Sequence, residues 1–136
     1  MPIYHMKTCQ RCGDEKPFTS FNRDPQKKDG HYSYCKDCDG ERKRALYREQ
    51  RELVLKHYGG VCACCGEDRY EFLSIDHVNG GGNAHRRSLS DSDAAQLVRW
   101  LRRNGMPEGY RVLCMNCNHA LGRYGYCPHE KIHLTS

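Results

Sequence analysis

Cys9 and Cys12, Cys35 and Cys38, Cys62 and Cys65, and Cys114 and Cys117 are four pairs of thiols, each pair separated by two residues. A C-x2-C turn aims two thiolates at one point, and two such turns complete the tetrahedral shell of a structural zinc. Gly13 and Gly66 each come directly after the second cysteine of a pair, where a residue without Cβ lets the backbone close tightly around a metal. The spacing predicts two zinc sites, Cys9/Cys12/Cys35/Cys38 and Cys62/Cys65/Cys114/Cys117, ahead of a disulfide framework. With all four positions of each zinc filled by thiolate, neither leaves a place for water, so both are structural. Cys64 and Cys127 remain over and read as partly buried free thiols. Cys64 could also substitute as a ligand, and Cys127-Pro128-His129 could form a supplementary metal pair.

A second kind of chemistry lies between the cysteines. Asp76-His77 falls between the two halves of the second zinc site, and Asn118 directly follows its last cysteine. If that zinc forms, a hairpin and the next helix lie side by side. Asp76 and Asn118 then converge as two oxygen ligands for a hard cation, Mg2+ or Mn2+. His77 points to the opposite face from Asp76 unless the strand ends there. The run Asn79-Gly80-Gly81-Gly82-Asn83 supplies such a break and would let His77 reach a water beside the metal. Asp-His on a strand is also a common surface pair, and Asn after Cys a common helix cap; the order around one zinc site is what favours catalysis.

Cys62-x2-Cys65-Gly66, Leu73-Ser74-Ile75-Asp76-His77 and Val112-Leu113-Cys114-x2-Cys117-Asn118 with Gly122 resemble the HNH, or His-Me finger, nucleases, most closely their zinc-containing endonuclease VII branch from phages. The resemblance covers most of 61–125, with a longer middle loop than compact members. It implies a ββα-metal core, His77 as general base, and Asp76 with Asn118 as ligands of the divalent cation. Many HNH nucleases carry His at the final position; the endonuclease VII branch carries Asn, as here at Asn118. His119 would point elsewhere on a helix and is the lesser metal candidate. Asn83 is one position for the middle Asn of the motif. The implied activity is single-metal hydrolysis of DNA phosphodiesters, leaving 5′-phosphate and 3′-hydroxyl ends. The first zinc module resembles the small unit that often precedes HNH domains. The alternative from another class is a non-enzymatic zinc-finger protein that binds nucleic acid or a protein partner.

The elements that must position these residues can be read from pattern. His31–Tyr34, 72–78 and Tyr110–Leu113 read as strands, the second by its alternation. From Glu41 to about Tyr58 there is no Gly or Pro and good helix formers dominate, with Leu46, Leu53, Val54 and His57 at helical spacing and Gly59-Gly60 ending the run. Ser90-x-x-Asp93 reads as a capping box for a helix with Ala94, Leu97, Val98 and Leu101 inside and Arg99, Arg102 and Arg103 outside, stopped by Asn104-Gly105 and Pro107. Another short helix comes after Cys117. No internal repeat is evident beyond the paired cysteine turns. The fold class is a small metal-stabilised α+β protein: an N-terminal zinc module at 1–40, a connecting helix at 41–60, the nuclease-like domain at 61–126 and a tail at 127–136.

Hydrophobic residues make up 38% of the chain and charged residues 29%, so little apolar material is left for a conventional core; zinc is expected to replace it. No apolar run approaches the roughly 18 residues of a membrane span, and Met1–Lys7 has no signal-peptide apolar region, so an intracellular, soluble protein in phage or host cytoplasm is expected. The formal charge is +5, but four thiolates around a dication carry two negative charges, so two such sites lower it to about +1. Binding to DNA, the expected partner, must then rest on local clusters: His85, Arg86 and Arg87 after the glycines, and Arg99, Arg102 and Arg103. Arg42, Lys43, Arg44, Arg48 and Arg51 either track phosphates or pair within a solvated helix, as Glu52 with Lys56 would. The 41–58 helix is the expected place for a homodimer to form.

Overall fold

The computed structural model describes residues 5–80, 82, 85, 88 and 94–130. Expectations for Asn83, Arg86, Arg87 and the Ser90–Asp93 capping box therefore fall outside the described residues. The chain divides into two compact units, 1–47 and 48–136.

The first unit begins with a short antiparallel pair, β1 (Met6–Thr8) and β2 (Glu15–Pro17), that brackets the first cysteine turn. A 3-10 turn (Phe18–Ser20) leads into β3 (Phe21–Arg23), which pairs antiparallel with β4 (His31–Cys35). The core is Phe21 and Tyr34 packed on Cys9, Cys35 and Cys38. Sulfur takes the place that large aliphatic side chains hold in a larger domain.

Helix α1 (Lys36–His57) starts five residues before the expected Glu41 and runs straight through Gly40. The reason is local. Cys35 ends β4 and Cys38 lies in the first turn of the helix, so the second cysteine turn of the unit is itself the helix start. Asp37 and Asp39 in that turn suit the positive end of the helix dipole. The expected apolar stripe is corrected too: Val54 and Leu55 are buried, whereas Leu46 and Leu53 are exposed.

In the second unit, Gly59 and Gly60 (φ 117° and 74°) end α1, and the next cysteine turn begins at Cys62. A 3-10 turn (Tyr70–Phe72) leads into β5 (Leu73–His77), paired antiparallel with β6 (Tyr110–Cys114). Between them lies α2 (Ala94–Arg103), which buries Leu97, Val98 and Leu101 and exposes Arg99, Arg102 and Arg103, as its pattern predicts. α3 (Met115–Tyr124) starts on Cys114, whose Sγ accepts the backbone N–H of Cys117, and ends at left-handed Gly125. It packs on β5 and β6. The architecture is thus a small α+β fold of two-stranded antiparallel pairs and helices. No described helix is long and apolar enough to cross a membrane.

The two units share one plan, a repeat not evident in the sequence. Each runs C-x2-C-G, 3-10 turn, strand, strand ending in Cys, then helix with a further Cys in its first turn. The registers match: Phe21 faces Cys35, and Leu73 faces Cys114. The repeat is written in backbone geometry and the cysteines, with the intervening side chains almost wholly different.

Candidate metal centres and the adjoining cleft

The cysteine turns close identically. In the first unit Gly13 N–H donates to Cys9 O (2.9 Å) and Cys9 N–H to Asp14 O (2.9 Å); in the second Gly66 N–H donates to Cys62 O (2.9 Å) and Cys62 N–H to Glu67 O (2.8 Å). Gly13 (φ 79°) and Gly66 (φ 80°) both occupy the left-handed region, where a Cβ is strained. In each expected zinc set the four Sγ atoms lie within 4.8 Å of one another. Sulfurs 2.3 Å from a tetrahedral zinc sit about 3.8 Å apart; Cys65 and Cys114 Sγ are 3.7 Å apart. Both sets fit structural zinc.

The electrostatics point the same way. Burial works against a thiolate at Cys9, but backbone N–H groups of Cys12, Cys35 and Arg11 aimed at its sulfur win and lower its pKa to about 6. Cys62 is brought to about 6 by the same balance of burial against the N–H groups of Cys114, Cys65 and Cys64. Burial and the facing Cys35, Cys12 and Cys9 push Cys38 up to about 12. Without a cation, then, each cage holds thiols that cannot all ionise together; a dication at the centre removes that conflict.

Beside the second cage lies an open cleft of about 730 Å³, lined by Ser74, Asp76, His77, Gly82, Asn118 and His119, among others. All three residues expected to act chemically, Asp76, His77 and Asn118, line it. His77 does so because β5 ends there: Gly80 N–H bonds back to His77 O (3.0 Å) with Gly80 at φ 73°, so strict alternation stops. Asn118 Nδ2 donates to Ser74 Oγ (3.0 Å), which donates to Leu113 O (2.8 Å). That commits the amide nitrogen and assigns any cation to Oδ1. His119 lines the same cleft, correcting its expected placement elsewhere. Neighbouring helix positions are only about 100° apart, so Met115, Asn118, His119 and Gly122 share one face of α3.

Two contacts were not foreseen. Asp76 Oδ2 accepts Arg111 Nε (2.9 Å), its direct cross-strand partner on β6. His77 Nε2 lies 2.8 Å from His85 Nδ1. His85 is therefore held in a ring cluster with His77, Trp100 and Tyr110. The register points to Arg111; His85, expected among the phosphate contacts, gives no sequence signal of its pairing with His77. Gly82 closes against the imidazole, where a Cβ would sit 3.1 Å from His77 Nδ1.

The cationic face expected of α1 is mostly occupied. Arg42 and Lys43 both bind Asp39 (3.1 and 3.0 Å), and Arg48 pairs with Glu52 (3.0 Å) in place of the expected Glu52–Lys56 pair. Arg48 and Arg51 lie over the Tyr70 ring, and Arg51 also donates to the carbonyls of Tyr70 and Leu73.

A third donor group was not assembled from sequence. Cys64, Cys127 and His129 converge with Cys117, their ligand atoms within 4.8 Å of one another. Cys127 is 1% exposed, although it opens the segment expected to be a tail. No family model, curated protein or solved structure matches this chain.

Proposed function

We propose that this protein is a metal-dependent DNA endonuclease of the HNH, endonuclease VII-like type, with the second unit as its ββα-metal nuclease core. The observation that supports the reading is the cleft, where Asp76, His77 and Asn118 stand together beside a zinc-competent cage. Of the two structural zincs, the one at Cys62, Cys65, Cys114 and Cys117 would hold the β5–β6 pair and α3 in place. The hard oxygens Asp76 Oδ1 and Asn118 Oδ1 fit a Mg2+ or Mn2+ ion. When bound, that ion supplies Lewis-acid stabilisation of a phosphate oxygen and of the departing 3′ oxygen.

The chain's own residues do the rest. His77, its ring held by the 2.8 Å contact between its Nε2 and His85 Nδ1, is the base that takes a proton from water, and His85 orients it. Arg111 neutralises part of the charge on Asp76 and keeps its carboxylate turned. Arg123 at the cleft and Arg99, Arg102 and Arg103 on α2 offer phosphate contacts that carry no sequence information. Exposed Leu46 and Leu53, one heptad apart on α1, support a homodimer formed along that helix, which would present two cleavage sites to one duplex.

Supercoiled plasmid, incubated with the zinc-loaded full chain and Mg2+ or Mn2+, tests this. Nicked circles that a ligase reseals, hence with 3′-hydroxyl and 5′-phosphate ends, are expected. Absence of cleavage with either metal on duplex, branched and single-stranded DNA, with binding retained, would favour the non-enzymatic zinc-finger reading.

A further inference from the structure

We infer that the second unit holds a two-zinc cluster in which the thiolate of Cys117 bridges the metals, giving three zincs per chain. One zinc of the cluster takes Cys62, Cys65, Cys114 and Cys117. The other takes Cys117, Cys64, Cys127 and His129 through Nδ1. This inference does not depend on the nuclease reading.

Three observations carry it. Cys117 belongs to both four-atom groups, and it is wholly buried at the start of α3. His129 Nδ1 lies 3.3 Å from Cys117 Sγ and 3.3 Å from Cys127 Sγ. A sulfur and a nitrogen on one tetrahedral zinc are about 3.6 Å apart, so the imidazole is already near a ligand position against both sulfurs. The chain is also arranged to bring these donors in. Gly125, left-handed at φ 78°, ends α3 and reverses the chain, and Cys127 O accepts Glu130 N–H (3.1 Å) in the turn that carries His129. Cys64 arrives within the second unit's cysteine turn, anchored by Ala63 N–H to Val112 O (2.9 Å).

Charge is consistent with sharing. Adding Cys64 and Cys127 as thiolates contributes two negative charges, which one further Zn2+ cancels, their protons going to solvent. Without the second metal, Cys64, Cys117 and Cys127 are free thiols gathered about His129. Among the described residues the first unit has no counterpart: neither Gln10 nor Arg11, inside its cysteine turn, is a metal ligand, and its metal-competent group has four members only.

Native mass spectrometry of the full chain should count three zincs. Cys127→Ser with His129→Ala should count two, and Asp76→Ala should keep three, which separates the cluster from zinc held in the cleft. Reconstitution with 113Cd should give one unsplit resonance from the first unit and two resonances split by coupling through the shared sulfur. That experiment needs only the unaltered sequence, so it decides even if the double variant fails to fold. Two metals in the wild type, or three unsplit cadmium resonances, would overturn the bridge.

Discussion

In the first unit Phe21 faces Cys35 and Asn22 Nδ2 reaches Asp39 Oδ2 (3.4 Å) on the helix; in the second Leu73 faces Cys114 and Asn118 reaches Ser74. Asp39 and Asn118 occupy the same place, one residue after the cysteine in the first helical turn. The next turn of each helix sets them apart. Three and four residues after Asp39 come Arg42 and Lys43, and both bind it. Three and four residues after Asn118 come Leu121 and Gly122, which bring no charge. One helix start is thus filled by an internal ion network, while the other faces an open cleft. A metal cage by itself implies no chemistry; the side chains that one copy of the plan turns toward a cleft are what distinguish the second unit.

Serine at the two register-equivalent cysteines should separate the units most sharply. Structural zinc contributes roughly 10 kcal/mol or more of apparent binding energy to such small modules. Cys114→Ser should therefore unfold the second unit and abolish cleavage. Cys35→Ser should lose one zinc and the amide dispersion of 5–35, yet leave the second unit's spectrum in place. Equal damage in both units from either change would show that they are not separate copies of one plan.

Asn118→Ala and Asp39→Ala probe the equivalent positions directly. The first should cut cleavage by about 10²-fold or more, because several kcal/mol of cation-mediated stabilisation go with it, while the thermal midpoint barely moves. The second should lower the thermal midpoint and leave turnover intact. A smaller effect is expected of Gly122→Lys, which recreates the Asp39–Lys43 spacing in the second helix. Gly122 has no neighbour within 4 Å of an added Cβ, so stability should hold while cleavage falls by about tenfold, equivalent to ~1.4 kcal/mol. Unchanged cleavage would mean that the cleft does not require the absence of a charge beside Asn118.

Much of the positioning scaffold was legible in the sequence. Cysteine spacing specified both four-sulfur groups because tetrahedral zinc demands it, and alternation with flanking glycines located β5 and β6. The three-residue strands β1, β2 and β3 carry no usable periodicity and are invisible to pattern. The start of α1 lies ahead of the expected Glu41 because Gly40 reads as a helix stop, while the cysteine turn from Cys35 to Cys38 itself begins the helix. In the cleft, Asp76, His77 and Asn118 were identified from motif order, but their partners were not. Arg111 can be had from strand register, and His85 only from a tertiary fold-back that local sequence does not encode. Cys127 and His129 read from sequence only as a supplementary metal pair; they become a four-donor set with Cys64 and Cys117 once the chain turns back at Gly125.

The central claim is that the second unit's cleft performs catalysis with His77 as base. Single-turnover cleavage of plasmid by wild type and His77→Ala, both folded and carrying the same zinc content, tests it most directly. A loss of about 10²- to 10⁴-fold in the variant, the usual contribution of a positioned general base, is predicted. Equal rates in the two proteins would contradict it.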